Sequence, residues 1–503
     1  MSRAKQMFTV PVPDTQNRDG YPAYKRSLEE QYIQTLMTNT LGNTYYADKQ
    51  ELLQEANQVH DEMLEKDPVF VAKALPYARK NGYMRLQPIF GLAKLSAVDP
   101  KELFKQVFRD VILIPSDLQD FMTILEGMGR GQGGRAIKTA ISNWLNASLS
   151  EYWAIKYNGR GRGFSLGDIV KTIHPKSTEK SALYKYLVTG EVEGDLPQIR
   201  AFEELKKTTN PKSQIRLVRE GRLPHEVVTG ATKMTPELWN ALVPDMPAFA
   251  LLRHLNALDR AGVLDWNRKT VTERLTNPEV LAKSKILPFR FLTAFYQIEK
   301  AWVKDVLRQA VELTFRNLPE IPGKTAVFLD VSGSMSGEYL RIGSVFALAL
   351  YKKTGGNGVF WTFDTEVYDP KPSLYDSILT QAEKIRAMGG TDTGAPVREL
   401  TAQREKVDNI IIITDEQQNT GSPFYRALKD YRQINPGTKA FIIDIAPYRS
   451  AMVPETDKNT WYIYGWSDQV LQFISQTIKG FGSMVDAINK MEINLSDLSE
   501  KNK

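Results

Sequence analysis

Three short oxygen-rich segments constrain the fold of this chain more than anything else in it. They are Asp330-Val331-Ser332-Gly333-Ser334, Gly389-Gly390-Thr391-Asp392, and Thr414-Asp415. The first follows Thr325-Ala326-Val327-Phe328-Leu329, which predicts a buried strand. The third closes the run Ile410 to Ile413, a second buried strand, because parallel strands covered on both faces read as unbroken apolar stretches. In a doubly wound α/β sheet, ligands gather at the carboxyl ends of strands. Carboxylates and hydroxyls collected there form a hard-oxygen site suited to Mg²⁺ or Mn²⁺. Taken alone, Asp-x-Ser-x-Ser is also a plain turn capping the helix expected near Glu338. The three pieces in order, with helices between them, favour the site.

This pattern resembles a von Willebrand factor A domain with its metal-ion-dependent adhesion site, over residues 323–503. The resemblance implies a Rossmann-like α/β fold. It makes Asp330, Ser332, Ser334, Thr391 and Asp415 the metal residues, with the hydroxyls as direct ligands and the two aspartates acting largely through water. It also implies one open position, taken by a partner's carboxylate. The expected cofactor is a divalent cation, Mg²⁺ or Mn²⁺.

A chain of 503 residues has room for two or more domains. It has no cysteine, so a disulfide framework, a thiol nucleophile and a cysteine zinc site are all excluded. The N-terminal stretch lacks the apolar core of a signal peptide, and no run approaches the ~18 apolar residues of a membrane span. These features predict a cytoplasmic protein with no membrane partner. His60, His174, His225 and His254 are the only histidines, and no two share metal-ligand spacing.

Charge is unevenly placed. The whole chain carries +6, residues 1–320 carry +8 and residues 321–503 carry −2. The window 121–190 alone, with 10 basic and 4 acidic residues, carries +6. A basic surface confined to one region points to phosphate partners.

Residues 1–322 read almost wholly as helix. Expected helices include Leu28–Met37, Lys49–Lys66, Pro68–Lys80, Pro100–Ile114, Ser116–Gly127, Arg135–Asn146, Glu151–Tyr157, Pro236–Val243 and Ala248–Leu258, with one or two more over Phe289–Asn317. Helical pairs without strands predict an irregular α-solenoid. Two glycine-rich loops interrupt it. Gly127 to Arg135 opens a helix, where free N–H groups with Arg130, Arg135 and Lys138 fit a phosphate. The alternative is a plain interhelical turn. A dinucleotide site is disfavoured, because Gln119 to Glu126 before it reads as helix rather than strand. The second loop, Lys156 to Phe164, sets Arg160 and Arg162 between glycines, and Lys171, His174 and Lys176 follow. Tyr157 and Phe164 read as half-buried rather than as stacking platforms.

Several helical segments resemble the Ro ribonucleoprotein autoantigen family, whose helical half is the TROVE domain. They include Gly42 to Tyr46, Gly127 to Arg130 leading to Ser142-Asn143-Trp144, Asp168 to Lys176, Arg222 to Glu226, Leu251 to Leu255 and Leu287-Pro288-Phe289. Val10 to Asp14 suggests a bacterial or phage type. The resemblance implies an all-α HEAT-like solenoid over 1–322, closed into a ring by the A domain. It further implies Y RNA-like small RNA on the outer surface, with single-stranded ends of misfolded RNA in the central hole. A polynucleotide phosphorylase-type exoribonuclease could be tethered through the RNA. A ring made by one chain would be monomeric. Basic residues near Lys156 to Arg162 and Lys171 to His174 would lie on the RNA surface.

No catalytic constellation appears. There is no G-x-S-x-G elbow and no P-loop, and Glu416 is the only candidate base beside Asp415. The expectation is a non-enzymatic RNA-binding protein. The alternative is a scaffold that grips an acidic partner through the A domain.

Overall fold

The computed structural model describes residues 11–159, 161–316, 318–478, 480 and 482–493. From Leu28 to Thr314 the chain is a succession of helices. Their boundaries follow local chemistry. Asp48 caps Lys49–Lys66 by accepting from the Gln50 and Glu51 amides, and Ser150 caps Glu151–Tyr157. Most helices pack on the next or the next but one. Pro68–Lys80 meets both Leu86–Leu95 and Lys101–Val111, Leu86–Leu95 meets Pro115–Gly127, and Lys101–Val111 meets Arg135–Ser148. This stacking is the solenoid expected from the helical pairs. The segment Phe289–Asn317 divides into Phe289–Gln297 and Ala301–Thr314, because Ile298 turns to extended backbone.

The C-terminal part is a six-stranded sheet. Its strands are β3 (Thr325–Asp330), β4 (Gly358–Phe363), β5 (Val367–Tyr368), β6 (Asn409–Thr414), β7 (Lys439–Asp444) and β9 (Thr460–Tyr464), in the order β5-β4-β3-β6-β7-β9. All neighbours are parallel except the edge pair β4–β5. Every residue of β3 and β6 is buried. From β3 the chain moves to β4 on one side and returns to β6 on the other, so the carboxyl ends of β3 and β6 form the topological switch point.

The sequence reading misses one element. Residues 1–322 are not purely helical. Two short strands, β1 (Thr15–Gln16) and β2 (Pro22–Lys25), form a hairpin. Strand β2 pairs antiparallel with β8 (Ser450–Ala451), more than 400 residues away. Nothing local marks so short a strand, because its partner lies in the other domain.

Both ends of the solenoid dock on the A domain. At the amino end, Leu28–Thr38 and Pro68–Lys80 pack on Met484–Asn489, and Lys73 Nζ donates to the Asn489 carbonyl at 2.7 Å. At the carboxyl end, Phe289–Gln297 packs on Glu338–Lys353, and Ala301–Thr314 packs on Ile378–Ala382. There Glu312 accepts from the Ile378 amide at 2.9 Å and Lys352 at 3.0 Å. Contacts therefore run from the first helix, through the solenoid and the A domain, back to the first helix. The buried apolar residues form one continuous cluster from Tyr24 to Ile488.

The amino-end seam is fastened by a buried ion cluster. Arg26 Nη2 donates to Asp444 at 2.9 Å and to the Ser450 carbonyl at 3.0 Å, and also pairs with Glu416. Its guanidinium lies over the rings of Tyr462 and Tyr464, at 4.3 and 5.3 Å from their centroids. Gln34 Nε2 adds a bond to Asp444 at 2.6 Å.

Candidate functional site

The three sequence segments meet at the switch point. Asp330 ends β3 and is fully buried. Its Oδ1 accepts from the Ser332 amide at 2.9 Å, and its Oδ2 accepts from Thr414 Oγ1 at 2.6 Å. The Ser332 and Ser334 hydroxyls lie 3.3 Å apart. The Gly389 segment crosses over them, since the Gly333 amide donates to the Gly389 carbonyl at 3.0 Å. Gly389 has φ +71°, and a Cβ there would run into the Asp364 carboxylate, so the turn requires glycine. Thr391 is buried, and its amide donates to Asn419 Oδ1 at 2.9 Å.

Asp415 follows β6, also fully buried. Its Oδ1 accepts from the Gln417 amide at 3.2 Å, while its Oδ2 has no hydrogen-bond partner. Burial pushes both carboxyls above the usual carboxylate range, and the charge of Asp330 adds to the rise at Asp415. Two buried carboxylates, an orphaned oxygen and two adjacent hydroxyls are what a hard divalent cation satisfies, so the residues present fit the group.

Glu416, the one candidate base, faces away from this site. Its oxygens engage Arg26, the Met452 amide at 2.8 Å and Tyr462 at 3.2 Å. It holds φ +60°, a conformation rare for glutamate, and the ion cluster fixes it there.

The basic residues of 121–190 fall into two groups. Some are taken by structure. Arg130 donates to the Ala93 carbonyl, Ser96 Oγ and the Ser96 carbonyl at 3.2, 2.9 and 3.1 Å, closing the end of the helix Leu86–Leu95. Lys156 pairs with Glu226 at 3.0 Å and lies near the rings of Tyr152 and Tyr157. Arg162 bonds Asp120 at 3.1 Å, though its side chain remains half exposed. Arg130 and Lys156 thus already have partners within the chain, helix-end carbonyls and a hydroxyl for the first and a carboxylate for the second. Arg160 lies outside the described residues.

The second group faces solvent. Arg135, Lys171, His174 and Lys176 are exposed and Lys138 is half-buried, and none has an ion pair among the described residues. His174 ends the helix Leu166–Ile173 in the left-handed conformation, at φ 52°. The Lys176 carbonyl accepts from Asn146, which brings this end beside the helix Arg135–Ser148. Tyr157 and Phe164 are half-buried against the core, as expected.

Comparison with known proteins fits this architecture. The family model described as the TROVE domain matches residues 225–337, and the one described as the Ro60 vWA domain matches residues 324–478. The chain thus carries a TROVE domain and a Ro60-type vWA domain. Among curated relatives, "RNA-binding protein RO60" of Deinococcus radiodurans is 26% identical over 80% of this chain and 83% of its own. The protein of the same name from Caenorhabditis elegans is 23% identical over 69% of this chain and 66% of its own. The crystal structure of the Deinococcus radiodurans Ro (Rsr) protein superposes with a TM-score of 0.68. It covers 90% of this chain and all of that one at 21% identity, and this likeness shows the Ro fold.

Within that Ro fold, sequence reasoning passes over two groups of residues. Gln119 holds the second glycine-rich loop, donating from Nε2 to the carbonyls of Tyr157, Gly159 and Phe164 at 2.9, 3.2 and 2.8 Å. The hairpin residues Asn17 to Tyr21 lie along the loop after Asp415, with Asn17 Nδ2 bonding the Gln418 carbonyl at 2.7 Å and the Arg18 amide bonding Gln417 Oε1 at 2.8 Å. Neither carries a signal in one sequence, because each acts across a long separation.

Proposed function

We propose that this protein is a non-catalytic RNA-binding ring. It takes a small structured RNA on the exposed basic surface and single-stranded RNA ends in its centre, in RNA quality control or processing. The observation that carries this reading is the alignment of 80% and 69% of the chain with two relatives named RNA-binding protein RO60. Docking of both solenoid ends on the A domain and the unpaired basic side chains at 135, 138, 171, 174 and 176 support it. An exoribonuclease of the polynucleotide phosphorylase type would reach the ring through such an RNA. A single closed chain needs no second copy. Among the described residues no helix is long and apolar enough to cross a membrane.

In the A domain, Ser332, Ser334 and Thr391 would hold a Mg²⁺ or Mn²⁺ ion, with Asp330 and Asp415 acting through water. The ion would supply a positive charge that attracts one acidic group. The site's own residues position that charge. Thr414 and the Ser332 amide orient Asp330, and the Gln417 amide orients Asp415. Glu416 is locked to Arg26, and its other oxygen is taken by the Met452 amide and Tyr462. Both observations favour a binding role over hydrolysis. The scaffold reading shares this site and differs in placing function there rather than on the basic surface.

The test is fluorescence anisotropy with a labelled RNA hairpin carrying a single-stranded 3′ tail, titrated across salt. Arg135→Glu/Lys138→Glu and Lys171→Glu/Lys176→Glu should each weaken binding and lower the salt slope, by about one unit per lost phosphate contact. Binding that ignores both salt and these variants would defeat the proposal.

A further inference from the structure

This chain's own N-terminal hairpin lies along the loop that follows Asp415, beside the hydroxyl–carboxylate site. Asp19 stands at the tip of the β1–β2 turn. The turn is tight, since the Asn17 amide donates to the Tyr21 carbonyl at 2.9 Å and Asn17 Oδ1 accepts from the Asp19 and Tyr21 amides. Asp19 Oδ2 accepts from Tyr46 at 2.7 Å and from Asn419 Nδ2 at 3.2 Å. Both donors belong to the site. Asn419 brackets Thr391, accepting from its amide and donating to its carbonyl at 3.0 Å. The Tyr46 hydroxyl interacts with Ser334 and feels the charge of Asp415. Asp19 Oδ1 receives no hydrogen bond among the described residues. Within the same site Asp415 Oδ2 is buried and has no hydrogen-bond partner.

Resting on the cation reading above, we propose that Asp19 completes the site in cis. A divalent cation on Ser332, Ser334 and Thr391 faces the Asp19 carboxylate, which Tyr46 and Asn419 hold at the rim. Cation binding and seating of the hairpin on the A domain then form one equilibrium. Any external acidic partner competes with Asp19 for the same position. The site thereby acts as a clasp on the amino-end seam rather than as an always-open grip.

The proposal is tested on the full chain with Mn²⁺ as the probe, by calorimetry on the wild type, Asp19→Asn and Asp330→Asn. The wild type should bind one Mn²⁺ and Asp330→Asn none. Asp19→Asn should bind at least ten-fold more weakly, and millimolar acetate should recover much of that loss by filling the vacated position. Mn²⁺ should also slow tryptic cleavage after Arg18 in the wild type but not in Asp19→Asn. Mn²⁺ binding by Asp19→Asn at wild-type affinity, with Asp330→Asn inert, would overturn the cis clasp and leave the cation site standing. Weakened binding that acetate does not restore would also overturn it, since Asp19 would then act only through its hydrogen bonds. No Mn²⁺ binding by the wild type would instead remove the cation reading itself.

Discussion

Replacing Arg26 by methionine should open the amino-end seam. The arginine side chain is completely buried, and the partners Glu416 and Asp444 are 2% and 1% exposed. Methionine fills much of the volume but leaves two buried carboxylates facing each other. Breaking a buried ion pair by removing one member costs about 3–5 kcal/mol, and a desolvated cation–π contact contributes about 2 more. A loss of about 5 kcal/mol is a several-thousand-fold change in the seam's equilibrium. With a slope of about 2.5 kcal/mol per molar urea, the first unfolding midpoint should fall by about 2 M. Tryptophan fluorescence would report it, with hydrogen exchange over residues 14–26 locating the loss. Burial and Glu416 already push the Asp444 carboxyl upward, and Arg26 pulls it down. Without Arg26 the Asp444 carboxyl, already raised, rises further and keeps in the folded state a proton that the unfolded chain releases above about pH 4. The native state then binds more protons than the unfolded one, so the variant's deficit must grow from pH 5 to pH 8. The variant Arg26→Met/Glu416→Gln/Asp444→Asn should recover most of the loss. A midpoint within 0.3 M of wild type, on the order of 1 kcal/mol, would refute this reasoning, as would a deficit larger at pH 5.

Other predictions follow from single contacts. Burial lowers the His60 pKa to about 4, so the unfolded chain takes up a proton between about pH 6.5 and 4 that the native state refuses. Stability should fall by about 3 kcal/mol as pH drops through that window, and His60→Gln should flatten the profile in urea titrations at several pH values. Gln119→Ala removes three hydrogen bonds from the loop 157–164 and should raise trypsin cleavage at Arg162 several-fold, without lowering global stability by more than about 2 kcal/mol. Lys156→Met should alter stability through Glu226 while leaving the salt slope of RNA binding unchanged. Gly389→Ala should abolish Mg²⁺-induced stabilisation in thermal melts, because its Cβ displaces the turn over Ser332 and Ser334.

Much of this architecture is legible from residues alone. The isoleucine run at 410–413 and TAVFL at 325–329 are short, apolar and β-branched or aromatic, and they become the two central strands. Helices such as Lys49–Lys66 and Pro68–Lys80 show their ends because Asp48 and Asp67 cap them. The break at Ile298 is invisible, since apolar spacing runs through it without proline or glycine. Strand β2 is invisible for a different reason, its partner being Ser450–Ala451. Within the A-domain site, hydroxyls and aspartates announce themselves by order and spacing, whereas Asp19, Tyr46 and Asn419 reach it only through the fold. Among the basic residues, composition locates the charged window but says nothing about partners. Arg130 and Lys156 look identical to Arg135 and Lys171 until Ser96 and Glu226 are placed beside them.

The central claim is that this ring carries RNA on its exposed basic surface. Its most direct measurement is sequencing of the RNA that copurifies with the tagged protein from its own host, beside the variant Arg135→Glu/Lys138→Glu/Lys171→Glu/Lys176→Glu. The account predicts a few discrete structured RNAs with the wild type and their loss with the variant, at unchanged thermal stability. Equal recovery of the same RNAs by both proteins, or no enriched RNA with either, would contradict it.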